Sequence, residues 1–106
     1  MKTSEDDNQE EVFEEEELPL PEGVKLAPID FTTFVLSLRE TCMIQLGEVN
    51  DGDSKAVDLG MARHTIEILE LLDRKTRGNL TGDEERVLSH VIHELRACYC
   101  AKVRAG

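Results

Sequence analysis

The sequence is short of basic side chains: 12 lysines and arginines stand against 23 aspartates and glutamates over 106 residues, a formal net charge of -11. Phosphate recognition needs a basic stripe, so this balance excludes a general nucleic-acid binder, and it sets the chain against an anionic membrane surface. No run of about 18 apolar residues is present to span a bilayer. The N-terminus lacks a basic segment followed by an apolar one, so neither a secretory signal nor a transit peptide is expected. Three cysteines cannot all pair, which argues against a secreted disulfide scaffold and for a reducing, cytoplasmic setting. A glycine-rich cofactor loop, a nucleophile elbow and paired carboxylates in apolar surroundings are also missing, so neither enzymatic activity nor a cofactor is expected. The length holds one small domain.

The charge that is there is segregated. Residues 1 to 23 hold ten acids against Lys2, a net -9, while the remaining 13 acids and 11 bases leave residues 24 to 106 at only -2. A segment this acidic and this poor in apolar residues cannot offset the entropy of ordering itself. Pro19, Pro21 and Pro28 favour extended chain after it. Residues 1–28 are therefore expected to form a disordered acidic arm and linker, and residues 29–106 the domain. The arm serves at least as a solubilising tail; a sharper reading makes it a decoy for a basic partner, with Phe13 beside Val12 as its anchor.

Three helices account for the domain. The first begins at Asp30 as N-cap and stops at Gly47. Its stripe is Phe31, Phe34, Val35, Leu38, Cys42 and Leu46, repeating at the helical period. Leu36 and Met43 share a second stripe, with Ile44 also off the first, and only Arg39 and Glu40 carry charge. The second helix starts at Asp58 and runs to Arg77, with Leu59, Ala62, Ile66 and Leu69 along one edge of an arc that Met61, Ile68, Leu71 and Leu72 widen. Glu67 and Glu70 are placed to pair with neighbouring arginines. The third has the clearest start, a Thr81-x-x-Glu84 capping box, and a core stripe of Leu88, Val91, Ile92, Leu95, Cys98, Tyr99 and Val103. Gly78, Asn79 and Leu80 alone join helices 2 and 3, which predicts an antiparallel hairpin. The fold class is all-α, a three-helix bundle.

A helix apolar on more than one side is buried on more than one side. For a domain this small, apolar burial at about 25 cal/mol per Å² and an ordering cost of about 1.5 kcal/mol per residue offset each other. The expectation is therefore a homodimer that self-associates through Leu36, Met43 and Ile44. The alternatives are that the linker covers this stripe or that another protein meets it.

These residues resemble a known family. Phe31-Thr-Thr-Phe-Val-Leu-Ser-Leu38 followed by Gly47 is similar to the opening of the domain of unknown function 1844 family. Ala62-Arg63, Ile66-Glu67-x-Leu69 and Leu72 continue the match, and Lys75-Thr76-Arg77-Gly78-Asn79-Leu80-Thr81 with Glu84 is its most specific part. Leu95-Arg96 and Tyr99 complete it over residues 30 to 103. The family places aspartate where this chain has Glu67, which keeps the charge. The resemblance implies a small bacterial helical protein without an established activity.

Three constellations could carry chemistry. Lys75, Arg77, Gly78, Asn79 and Thr81 bring bases, a glycine and a helix N-terminus together, the raw material of a small-anion or nucleotide site. Walker spacing is absent, and Asp83, Glu84 and Glu85 repel phosphate, so a structural turn is the stronger reading. In that reading Lys75 and Arg77 cap helix 2, Gly78 takes positive φ and Thr81 caps helix 3. His93 and Cys100 lie seven apart on one polar edge with His90 close by, too few ligands for a metal site within one chain. Cys98 and Cys100 point about 200° apart on a helix and cannot chelate one ion. Two such edges across a dimer would supply four ligands, and Cys100 lies between Arg96 and Arg104, so His93 and Cys100 support a metal- or thiol-redox-responsive regulator as the alternative function. The acids around Asn50-Asp51-Gly52-Asp53 resemble a calcium loop without its spacing or closing glutamate, and read as a turn.

Overall fold

Each helix starts where a side-chain oxygen meets an orphan backbone N–H. Asp30 accepts from the Thr33 N–H at 2.8 Å and Asp58 from the Met61 N–H at 3.1 Å. Thr81 accepts from the Glu84 N–H at 3.1 Å while the Glu84 carboxylate accepts from the Thr81 N–H at 2.8 Å, a complete capping box. The helices that follow are α1 (Phe31–Leu46), α2 (Leu59–Lys75) and α3 (Gly82–Ala105). A computed structural model describes residues 18–49 and 57–106, and among these no strand occurs. The acidic residues 1–17, Phe13 included, and the loop residues 50–56 with their calcium-like acids lie outside the described residues. Residues 18–30 run exposed, without helix, through a turn in which the Val24 N–H donates to the Pro21 carbonyl.

All three helices pack on one another, giving the all-α three-helix bundle. α1 and α3 run parallel, because Arg39 meets Glu94 and, further along both, Glu48 meets Lys102. α2 runs back between them. The core takes three side chains from each helix: Val35, Cys42 and Leu46; Ala62, Ile66 and Leu69; Leu88, Val91 and Leu95. The one buried polar residue among those described, Thr65, is satisfied: its hydroxyl lies 2.8 Å from Gln45 Oε1 and 3.1 Å from the Met61 carbonyl.

Three details depart from the helical-period reading. Phe34, placed on the core stripe, is 38% exposed, whereas Met43, placed off it, packs against the core. Val103, in the last turn of the 24-residue α3, is 47% exposed. α2 ends at Lys75 rather than Arg77, since the Thr76 N–H and hydroxyl both donate to the Leu72 carbonyl, at 2.9 and 2.7 Å.

Two glycines sit in the left-handed region, Gly47 as the C-cap of α1 at φ 82° and Gly78 in the turn after α2 at φ 85°. A side chain there costs about 1–2 kcal/mol from backbone sterics alone. A Cβ on Gly78 would meet open space, but one on Gly47 would stand 3.1 Å from Val57 Cγ2. Both alanine variants are expected to lower the urea midpoint, with Gly47→Ala the more damaging. Equal losses would mean that Val57 gives way freely.

Candidate functional site

The grooves between helices are where this fold brings distant residues together. Parallel packing of α1 on α3 sets the Arg39 guanidinium across the Glu94 carboxylate, with Nε to Oε1 at 2.7 Å and Nη2 to Oε2 at 2.8 Å. This forked pair holds the Glu94 carboxyl below its usual range, through the hydrogen bonds from Arg39, and raises Arg39 in turn. Around it lies a cleft of about 370 Å³. Its apolar lining is Leu36 from α1 with Val87 and Val91 from α3, and its polar lining is Arg39, Glu94, Arg86 and His90. Arg86 also pairs with Asp83, but in the open, with side chains 74% and 85% exposed.

A second cleft, of about 330 Å³, separates α2 from α3. Ile66 and Tyr99 line it together with Arg63, Glu67, Glu70, Arg96 and Cys100. Its charges answer one another. Arg63 lies 3.5 Å from Glu67 one turn on, and Arg96 reaches across to Glu70 at 2.5 Å. The expected pairing with a neighbouring arginine is therefore present for Glu67, whereas Glu70 pairs instead with Arg96 of α3.

The residues singled out from sequence separate in space. Leu36 stands 45% exposed in the α1/α3 cleft, Ile44 is half-buried, and Met43 is held against the core. Lys75 to Thr81 form a turn whose backbone is already engaged. The Asn79 N–H donates to the Thr76 carbonyl at 2.8 Å, Gly78 takes positive φ, and Thr81 is committed to its capping box. Arg77 does not cap α2, since it donates to Asp73 at 3.1 Å; Thr76 caps instead. His93 and Cys100 are both exposed on α3, while His90 lines the α1/α3 cleft and Cys100 the α2/α3 cleft, on opposite flanks of the helix. Among the described residues no group of three or more His, Cys, Asp or Glu is placed to hold a metal ion. All three thiols are free. Burial pushes the Cys42 thiol up to about 11 and raises Cys98 as well, which keeps both protonated and poorly nucleophilic.

Sequence reasoning missed the α1/α3 cleft. Its one available signal was Arg39, a lone cation on an otherwise apolar helix, whose partner lies 55 residues away.

Fold and clefts together define a small three-helix domain with no helix, among the described residues, long and apolar enough to cross a membrane. Within that class the chain belongs to the family described as Domain of unknown function (DUF1844), whose model matches residues 28–101. No curated protein and no solved structure matches the chain.

Proposed function

We propose that this protein is a non-enzymatic helical interaction protein of the cytoplasm that associates with a second copy of itself through α1. The observation that carries the reading is the apolar surface α1 leaves in water. Phe34 is 38% and Leu36 45% exposed, Ile44 is half-buried, and Arg39, the helix's one cation, is spent on Glu94. Burying such surface against a copy of itself is the commonest route to a small assembly. Met43 contributes from beneath, since it packs on the core, and so Met43→Glu would strike the fold as well as the interface. The free thiols fit a reducing compartment.

The test is light scattering on the full chain across a dilution series, for wild type and the Leu36→Glu/Ile44→Glu variant. Wild type is expected at twice the chain mass, and the variant at the chain mass with its helical circular dichroism intact. A wild-type chain that keeps the single-chain mass at every concentration would sink self-association and turn α1 toward a different protein.

A further inference from the structure

The two interhelical clefts differ in charge. The α2/α3 cleft balances Arg63 and Arg96 against Glu67 and Glu70, whereas the α1/α3 cleft sets Arg39 and Arg86 against Glu94 alone, with His90 beside them. The Arg86–Asp83 pair is solvent-exposed and therefore weak, so Arg86 remains able to meet another carboxylate. On a chain of net charge -11, a cleft lined with Leu36, Val87 and Val91, whose Arg86 is held only by an exposed partner, suits an acidic segment that carries an apolar residue.

The sequence contains such a segment, Glu10-Glu11-Val12-Phe13-Glu14-Glu15-Glu16-Glu17, with two apolar residues between runs of acids. It is tied to the cleft end of α1: the chain enters the helix at Asp30, and Leu36 lies less than two turns further on. The 17 residues from Phe13 to Asp30 can span at most about 56–61 Å. The whole of α3 measures only about 36 Å, so the cleft lies within reach of its own chain. We infer that Val12 and Phe13, flanked by their glutamates, dock in the α1/α3 cleft of the same molecule, where the carboxylates meet Arg86 and the apolar pair covers Leu36. Docked there, the segment competes with any association that uses Leu36; the docking itself stands without the self-association reading.

The full chain provides its own reporter site, because it contains no tryptophan. With Phe13→Trp as background, emission is expected to be blue-shifted and acrylamide quenching several-fold slower than in the urea-unfolded chain, at concentrations where light scattering gives the mass of a single copy. Adding Arg86→Glu or Leu36→Glu, both at exposed positions, is expected to abolish that protection while the helical circular dichroism stays unchanged. Raising ionic strength from about 0.01 to about 1 M shortens the screening length from about 30 to about 3 Å and is expected to weaken it. Quenching equal to that of the unfolded chain would overturn the inference, as would protection indifferent to both substitutions. Protection that grows with protein concentration would also overturn it and assign the cleft to another copy. The readout is emission rather than mass, so failure here is distinguishable from failure of self-association.

Discussion

Leu69→Ala is expected to lower the unfolding free energy by about 2–5 kcal/mol, the range found when a fully buried leucine leaves a cavity that its neighbours only partly fill. Leu69 has no exposed surface and belongs to the nine-residue core built equally from three helices. A domain of this size is stable by only about 5–15 kcal/mol, so the loss is a large fraction of the whole. The effect should appear as a fall in the urea midpoint without a change in slope, since the native state still buries nearly the same surface. Leu71→Ala is the matched control. It sits two residues on, is 44% exposed, and is expected to cost less than about 1 kcal/mol. Similar losses at the two positions would show that the inner face of α2 is wrongly assigned.

The second large effect belongs to the Arg39–Glu94 pair. Its two bonds of 2.7 and 2.8 Å join α1 to α3, and its side chains are 32% and 28% exposed. Hydrogen bonds between charged groups contribute about 1.5–3 kcal/mol, and the remaining exposure puts this pair toward the lower end. The other long-range pairs among the described residues, Arg96–Glu70 between α3 and α2 and Lys102–Glu48 from α3 to the chain just past α1, are single-pronged and more exposed, and are expected to contribute less.

The pair also sets a pH dependence. Hydrogen bonding from Arg39 holds the Glu94 carboxyl below its ordinary value. A depressed carboxylate contributes stability that is fully present above the unfolded-state value and is lost as pH falls through the folded-state one. A double-mutant cycle of Arg39→Met and Glu94→Gln should therefore give a coupling of about 1–2 kcal/mol at pH 7 that fades under acid below about pH 4. The cycle removes the background from the many other carboxylates that titrate in the same range. A coupling unchanged between pH 7 and pH 3 would mean that the fork contributes nothing through charge.

Some of this is legible from the chain alone and some is not. The helix starts at Asp30, Asp58 and Thr81 and the stop at Gly47 are readable because each depends on groups three or four residues apart, whereas α2 stops at Lys75, short of the expected Arg77. A short connection, expected as Gly78-Asn79-Leu80 and found to be residues 76–81, likewise sets α2 and α3 side by side. The segregation of acids to residues 1–23 needs no structure at all.

Tertiary packing decided what those local rules leave open. α1 carries apolar residues on more than one side, so its period alone does not select a face; contact with α2 and α3 drew Met43 against the core and left Phe34 partly in water. Val103, near the end of the long α3, is half exposed although its spacing is that of a core residue. The α1/α3 cleft joins Leu36 and Arg39 to Arg86, Val87 and His90, about 50 residues on, through the parallel register of two helices. Local sequence therefore determined which segments are helical and where they end, since hydrogen bonds within a turn settle that. Which side chains face one another was decided only in three dimensions, because burial is shared among helices and no single stretch of chain contains its own partner.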